Sequence, residues 1–126
     1  MIRGIGIDLV EIARMQGNVE NEHFMHRVFS EAERGHIGMG NLAAERAAGN
    51  FAAKEALAKA LGCGLAGSPL DCVEVLRRES GEPYLACKGK AEERMHLMGV
   101  SHAWVSITHT GGFAAAVVVL EGEDDA

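Results

Sequence analysis

Aromatic residues are scarce in this sequence and make up 5% of its 126 positions. Its core must therefore consist mainly of alanine, valine, leucine, isoleucine and methionine. Long apolar runs are also lacking, since the longest uncharged apolar stretch, 113–120, falls well short of the roughly 20 residues that a membrane-spanning helix needs. Asp8 and Glu11 interrupt the apolar region that a signal peptide would require. We therefore expect a cytoplasmic protein without a membrane partner.

Cysteine is rare and is not arranged for metal or disulfide chemistry. The chain has three cysteines, Cys63, Cys72 and Cys87, and no C-x-x-C pair. This pattern disfavours a zinc site or a disulfide framework and favours buried free thiols. His23 and His26 have the spacing of a metal-binding pair, but no third ligand is near them in sequence, so we predict surface histidines.

Positive charge is in deficit. Twelve lysine and arginine residues oppose 18 aspartate and glutamate residues, which gives a net charge of −6. With no interleaving of aromatic and basic residues, this balance disfavours nucleic acid as a partner. We predict a single domain over residues 1–120, followed by a solvated, frayed acidic tail at 121–126.

The chain does contain a clear order of secondary-structure signals. Residues 2–10 alternate as a strand does, and Gly4 and Gly6 thin one face, as happens where another element packs close to the backbone. Helical patterns follow at 11–15 (ending near Gly17), at 22–29, after a capping box at Ser30, and at 42–61. The remaining signals are strands at 72–79, 83–87, 103–108 and 113–120 and a helix at 91–98. This order predicts an α+β fold with a largely antiparallel sheet and packed helices.

A glycine motif at 62–67 has the pattern G-x-G-x-x-G of dinucleotide-binding loops. Such loops lie between a strand and a helix. Here a helix precedes the motif, and Ser68 and Pro69 follow it. We therefore reject dinucleotide binding and predict a helix end and a loop.

The first polar residues that are candidates for a functional site are Asp8 and the charged residues of the helix 51–62. Aspartate disfavours strands, so Asp8 is a candidate for binding a cation or a helix N-terminus. In the helix, Lys54, Glu55 and Lys59 lie off the predicted buried stripe of Phe51, Leu57, Ala58 and Leu61. Glu55 and Lys59 suit an i, i+4 ion pair, and the pattern alone favours a solvated helix face over a site.

A second polar group, SITHT, occupies residues 106–110 at a strand end before Gly111 and Gly112. It gathers three hydroxyls and one imidazole. The spacing alone supports a polar strand end and a functional site equally.

Four segments together resemble the holo-acyl-carrier-protein synthase family, the small phosphopantetheinyl transferases. They are GIGIDLVEIAR (4–14), NFAAKEALAKALGCG (50–64), GEPY (81–84) and VSITHTGGFAAAVVVLE (105–121). The resemblance covers nearly the whole chain, with a poor match over 16–48. It implies the family's phosphopantetheinyl transferase-like fold and the transfer of 4′-phosphopantetheine from coenzyme A to a serine of apo-acyl carrier protein, with release of 3′,5′-ADP. It also implies a homotrimer with sites between neighbouring subunits.

The resemblance assigns metal and phosphate roles to three residues. Asp8 and Glu55 match the family's metal-binding carboxylates, and Mg²⁺ prefers one or two carboxylates with waters and phosphate oxygens. Lys59 matches a lysine near the coenzyme A phosphates, where its charge would complement developing negative charge. The general base stays open between a metal-bound water and Glu55.

Further matches concern coenzyme A itself. His109 and Thr110 match a strand that borders coenzyme A across the subunit interface, and Gly81 and Pro83 resemble a loop near its adenine. Lys54 also falls in the helix motif, with a secondary structural or electrostatic role at the coenzyme A site.

The resemblance also implies a docking surface for the acidic carrier protein. Arg14 matches the basic surface near the first helix, and Arg27 is a second predicted contact, with Phe24 or Met25 as apolar neighbours. Association through such a local patch should weaken with salt.

Three departures from the family pattern remove positive charge. Asn50 replaces a usual arginine, Glu82 replaces a usual lysine, and the segment 17–24 has few basic residues. Arg46, one helical turn before Asn50, is a candidate substitute. Two alternatives therefore stay open: a trimeric coenzyme A-binding domain with little turnover, and a transferase dedicated to a polyketide or peptide synthase carrier.

Overall fold

The structure of the chain, a computed structural model, describes residues 1–62 and 70–124. The first elements are β1 (Ile2–Glu11), α1 (Ile12–Val19), α2 (Glu22–Val28), α3 (Glu31–Ile37) and α4 (Ala43–Ala60). A 3-10 turn (Leu70–Cys72) then leads to β2 (Val73–Arg77), β3 (Pro83–Cys87), α5 (Gly89–Leu97), β4 (His102–Thr110) and β5 (Phe113–Glu121). The predicted α+β fold is confirmed.

The strands form two antiparallel sheets. A three-stranded sheet has the order β1–β5–β4, and β2 and β3 form a separate hairpin. Gly81 turns this hairpin with a φ of +96°, a conformation that glycine adopts without strain. The two predicted strand pairs, 72–79 with 83–87 and 103–108 with 113–120, are confirmed.

Helix α4 packs directly on the backbone of β1. A Cβ atom at Gly4 would overlap the carbonyl oxygen of Ala60, and one at Gly6 would overlap that of Ala56. The close approach predicted from these glycines is therefore present. It brings the end of β1 within reach of side chains on the last two turns of α4.

The opposite face of the three-stranded sheet is apolar and exposed. Ile5, Ile7 and Leu9 are 60%, 65% and 63% exposed, and Trp104 is 56% exposed. Ile5, Val119 and Trp104 form one row across the sheet. Because strand side chains alternate between faces, these residues point away from α4.

Two predictions about element ends are wrong. Helix α1 does not stop near Gly17 but continues to Val19, since Met15 is buried against the core and this packing outweighs the low helix propensity of glycine. The C-terminal segment is not frayed as far as residue 124. Gly122 exchanges two backbone hydrogen bonds with Met1, and Asp124 lies 3.1 Å from the N-terminal ammonium.

Some predictions concern residues outside the described part of the chain. These residues are Cys63, the rest of the glycine motif after Gly62, and positions 125 and 126. Gly62 itself follows α4 with a φ of +74°, as a helix end does. Cys72 and Cys87 are half-buried free thiols.

Among the described residues, none of the helices combines the length and apolar character that a membrane crossing requires. The cytoplasmic location stays a prediction.

Candidate functional site

The end of β1 and the last turns of α4 form the first cluster of polar side chains. The Lys59 ammonium donates to Oδ1 of Asp8 at 3.0 Å and to the carbonyl oxygen of Ile7 at 3.0 Å. The side chain of Asp8 is 15% exposed and that of Lys59 is 54% exposed. Lys59 therefore pairs with Asp8 on the strand rather than with Glu55 one turn away on its own helix.

Glu55 faces the same opening. Burial and the negative charge of Asp8 raise the pKa of Glu55, and the positive charge of Lys59 opposes this shift. The two carboxylates are thus close enough to repel each other, with one ammonium beside them. A cavity of about 330 Å³ opens at this cluster and is lined by both carboxylates, Arg14, Phe24 and Phe51.

The carboxylate pair fits a Mg²⁺ ion that shares its coordination with a substrate. Within 1–62 and 70–124, no three His, Cys, Asp or Glu side chains form a fuller ligand set. Mg²⁺ is commonly held by one or two carboxylates, keeps several waters and takes further oxygens from phosphates. Asp8 and Glu55 are oxygen donors of this kind, and their mutual repulsion would be relieved by a cation.

A second cluster lies at the other end of α4. A cavity of about 200 Å³ is lined by Arg46 on α4, Arg77 at the end of β2, Gly81 and Pro83 at the hairpin, and His109 on β4. Nδ1 of His109 lies 3.2 Å from Oε1 of Glu45. Three residues predicted to border coenzyme A therefore share one cavity.

Thr110, the fourth residue of that prediction, is exposed at the last position of β4. Alternation along the strand places its side chain on the face opposite to that of His109.

The two clusters occupy opposite edges of the three-stranded sheet. Asp8 lies on β1 and His109 on β4, and β5 runs between these strands. Adjacent strands are about 4.8 Å apart, so the edge strands are separated by about 10 Å. Helix α4 packs across the same face. One chain thus carries two separate polar clusters, with α4 between them.

Lys54 belongs to neither cluster. It is 2% exposed, and its ammonium donates to Oε1 of Glu33 at 2.8 Å and to the carbonyl oxygens of Val28, Leu70 and Val73 at 2.7, 3.0 and 2.8 Å. Burial lowers its pKa, and Glu33 opposes the shift. The prediction that Lys54 lies off the buried stripe is wrong, and a contact with coenzyme A does not fit an ammonium already enclosed by four oxygens. Its structural role remains.

Arg77 is a candidate site residue that the sequence analysis missed. Its Nη2 donates to Oδ1 of the fully buried Asn50 at 3.0 Å. The strand register could have indicated that Arg77 points inward, because Arg77 shares a strand face with Val73 and Val75, which are buried. Arg46, the predicted substitute for the charge missing at Asn50, lines the same cavity.

Glu82, the departure that replaces a usual lysine by an acidic residue, does not line this cavity. Its Oε1 lies 3.7 Å from Nε of Arg78. Both side chains line a larger cavity of about 440 Å³ between β3 and β4. Of the predicted site residues, only Pro83 reaches that cavity, so its size does not make it the candidate site.

Of the two arginines predicted to dock the carrier protein, Arg14 lies beside the first cluster and Arg27 does not line its cavity. Arg14 is exposed and lines the cavity that holds Asp8 and Glu55, together with the half-buried Phe24. Arg27 is exposed on α2, whereas Met25 is buried in the core. His23 and His26 are also exposed on α2, and Nδ1 of His26 lies 2.9 Å from the carbonyl oxygen of Glu22.

Comparison with known proteins gives a consistent family. The model of the 4′-phosphopantetheinyl transferase superfamily matches residues 4–118. The holo-[acyl-carrier-protein] synthase of Clostridium tetani is 40% identical over 124 residues, covering 98% of both chains. That of Solidesulfovibrio magneticus is 43% identical over 125 residues, covering 97% of this chain and all of the relative.

Solved structures agree with the sequence relatives. The holo-[acyl-carrier-protein] synthase of Helicobacter pylori, in complex with coenzyme A, matches with a TM-score of 0.81 at 31% identity over 93% of this chain and 99% of the other. The Bacillus anthracis synthase, in complex with CoA (3′,5′-ADP), matches with a TM-score of 0.81 at 35% identity over 98% and 99%. The chain therefore belongs to the 4′-phosphopantetheinyl transferase superfamily, and the relatives that it matches along nearly its whole length are holo-[acyl-carrier-protein] synthases.

Proposed function

We propose that this chain transfers 4′-phosphopantetheine from coenzyme A to a serine hydroxyl of an apo-acyl carrier protein. The observation that carries the proposal is one cavity lined by Asp8 and Glu55, with the ammonium of Lys59 hydrogen-bonded to Asp8. Two carboxylates with an ammonium beside them suit a pyrophosphate and its metal ion. The names of the relatives and the coenzyme A in their solved structures support the same reaction.

The proposed step exchanges the phosphoanhydride bond of the coenzyme A pyrophosphate for a phosphate ester to serine. The serine oxygen forms a bond to the β-phosphorus of coenzyme A, and the bond from that phosphorus to the bridging oxygen breaks. Adenosine 3′,5′-bisphosphate leaves with the bridging oxygen, and the serine proton passes to water or to Glu55. Lys59 places its ammonium beside the phosphate charge. Mg²⁺ held by Asp8 and Glu55 would neutralise charge on the phosphate oxygens.

We further propose that the protein acts as a homotrimer with sites between subunits. The exposed face of Ile5, Ile7, Leu9 and Trp104 offers the apolar surface for association. Because α4 lies between the two polar clusters of one chain, the cluster of Asp8 in one subunit and the cluster of His109 in the next would border a single coenzyme A molecule. His109, Gly81 and Pro83 would then contact its nucleotide half, whereas the side chain of Thr110 faces away from that cavity.

The carrier protein would dock beside the first cluster. Arg14 lines the cavity of Asp8 and Glu55, and Arg27 adds positive charge on α2. An acidic carrier would be steered to these arginines, so its association rate should fall as the salt concentration rises.

Mass spectrometry of an apo-acyl carrier protein, incubated with this protein, coenzyme A and Mg²⁺, tests the proposal. We expect a gain of about 340 Da, the mass of one phosphopantetheine group transferred through its phosphoryl group, and its loss when a chelator is added. The panel should include carriers from fatty acid, polyketide and peptide synthesis. Binding of coenzyme A without a mass shift on any carrier would contradict the transferase and favour a binding domain.

A further inference from the structure

The smaller cavity beside α4 collects positive charge in a chain whose net charge is −6. Arg46 and Arg77 both line it, and His36 lies near them. Burial and the positive charges of Arg77 and Arg46 lower the pKa of His36. Two carboxylates are also near: Glu45 lines the cavity and faces His109, and Glu33, whose charge acts on Arg77, is hydrogen-bonded to Lys54.

Arg77 is held in this cavity by a neutral partner. Its Nη2 donates to Oδ1 of Asn50, and its Nη1 lies 3.5 Å from the carbonyl oxygen of Leu76. Asn50 is 0% exposed, and its Nδ2 has no hydrogen-bond partner among the described residues. An amide oxygen orients a guanidinium without cancelling its charge, whereas a carboxylate at this position would do both. The remaining N–H donors of Arg77 stay available to a ligand.

We infer that Arg77, oriented by Asn50 and assisted by Arg46, binds a phosphate monoester in this cavity. The inference rests on the proposed function for the identity of the ligand, which is coenzyme A. Coenzyme A carries a pyrophosphate and one phosphate monoester, on the 3′ oxygen of its ribose. The pyrophosphate contains the reacting phosphorus and belongs with Asp8, Glu55 and Lys59. The monoester is then the group left for the cluster that contains Arg77.

This assignment gives the departure at Asn50 a physical meaning. The side chain of Asn50 is short and buried, so it cannot itself reach a ligand in the cavity. It instead accepts a hydrogen bond from an arginine that enters from the end of β2. The positive charge missing from α4 is thereby supplied by a different strand, and a guanidinium can bind a phosphate through two parallel hydrogen bonds.

Binding of coenzyme A and of 3′-dephospho-coenzyme A, measured by calorimetry for wild type and for Arg77→Met, tests the inference. We expect Arg77→Met to weaken coenzyme A binding about tenfold or more and to leave the affinity for 3′-dephospho-coenzyme A unchanged, since charge-assisted hydrogen bonds are of this strength. Arg78→Met is the matched control, because that guanidinium lies over the ring of Tyr84, 4.7 Å from its centre, and lines the other cavity. It should change neither affinity.

The role of Asn50 in orienting Arg77 is tested by the same two affinities, measured for a variant of Asn50. Asn50→Asp keeps the size of the side chain but would pair with Arg77 as a charge, so it should also reduce the preference for the 3′-phosphate. If Arg77→Met does not fold, Arg77→Gln keeps a donor toward Asn50 and should show the same loss of preference. An unchanged ratio of the two affinities, or equal weakening of both ligands, would overturn the inference.

These outcomes are separable from the fate of the proposed function. If the wild-type protein modifies a carrier but Arg77→Met leaves the ratio of the two affinities unchanged, the transferase function stands and the phosphate subsite is refuted. If Arg77→Met changes that ratio but the wild-type protein modifies no carrier, the subsite stands and the transferase function is refuted.

Discussion

The ammonium of Lys54 lies 2.8 Å from Oε1 of Glu33, and both side chains are almost completely removed from solvent. The same carboxylate oxygen accepts the backbone N–H of Ser30 in the capping box of α3. Lys54 also binds backbone carbonyls at the end of α2 and the start of β2. This buried pair therefore fixes three elements to α4, the helix that presents Glu55 and Lys59.

Replacing Lys54 by methionine should strongly destabilise the fold. The apolar side chain would leave the Glu33 carboxylate buried without its counter-charge, and removal of one partner of a buried pair costs about 3–5 kcal/mol. Chemical denaturation measures this loss in the free energy of unfolding. The double variant Lys54→Met with Glu33→Gln is the control and should be more stable than Lys54→Met alone. Equal stability of Lys54→Met and wild type would contradict a structural role for the pair.

Substitution of Gly6 by alanine should also destabilise the protein. The added Cβ would overlap the carbonyl oxygen of Ala56, so β1 and α4 would have to separate. Overpacking of this kind costs about 1–3 kcal/mol. Gly17→Ala is the matched control, because no atom lies within 4 Å of its added Cβ, and alanine favours a helix by up to about 1 kcal/mol. Opposite shifts of the melting temperature are expected, and an unchanged or raised melting temperature for Gly6→Ala would argue against close packing at Gly6.

Local signals in the sequence were sufficient to predict much of the fold. Gly4 and Gly6 indicated the packing on β1, and the capping box at Ser30 placed the start of α3, because both effects depend on residues close in sequence or on a missing side chain. Lys54 and Arg77 were different. Lys54 is buried and Arg77 is half-buried, and each has a side-chain partner far along the chain, 21 residues away for Lys54 and 27 for Arg77. Helical or strand periodicity does not contain that information.

The candidate site was predictable to a similar degree. Asp8, Glu55 and Lys59 were chosen from the sequence, and the structure places them together. The pairing of Lys59 with Asp8 instead of Glu55 depends on the distance between β1 and α4, which only the folded chain defines. The separation of the two polar clusters was likewise not predictable, since it results from the path of α4 across the sheet.

Conversion of either carboxylate to its amide should abolish Mg²⁺-dependent transfer. Asp8→Asn and Glu55→Gln keep the size of each side chain but remove the charge that attracts the metal ion. We expect the rate of carrier modification to fall at least about a hundredfold, since metal stabilisation of phosphate charge is worth several kcal/mol. The rate should be measured as Mg²⁺ is titrated. Glu93→Gln, on the exposed part of α5, is the control. Near-normal turnover of Asp8→Asn and Glu55→Gln would refute the metal assignment.

The thiol of Cys87 should resist alkylation at neutral pH. Burial, with the negative charge of Glu92 and the neighbouring Cys72, raises the pKa of Cys87 to about 11. Since only the thiolate reacts, about one molecule in a thousand is reactive at pH 8. Its rate with iodoacetamide should rise steeply as the pH approaches 11, as followed by mass spectrometry of the Cys87 peptide. In the denatured chain the same residue should react readily at pH 8. Equal rates in folded and denatured protein at that pH would disprove the protection.

A charge placed on the exposed sheet face should prevent assembly. Ile7→Asp would put a carboxylate at the centre of the surface formed by Ile5, Ile7, Leu9 and Trp104, where burial of an unpaired charge is costly. Sedimentation or light scattering should show a trimer for wild type and a monomer for Ile7→Asp. Leu97→Asp is the control, because Leu97 is 78% exposed on α5, outside this face, and its variant should remain trimeric.

Activity of the Ile7→Asp monomer then tests why assembly matters. If Asp8 and His109 act on one coenzyme A from different subunits, the monomer should lose transfer although its Asp8, Glu55 and Lys59 are intact. High protein concentration should restore part of the activity if it restores the trimer. A monomeric Ile7→Asp variant with full transfer would show that one chain holds the whole site, and a wild-type monomer in solution would remove the proposed interface altogether.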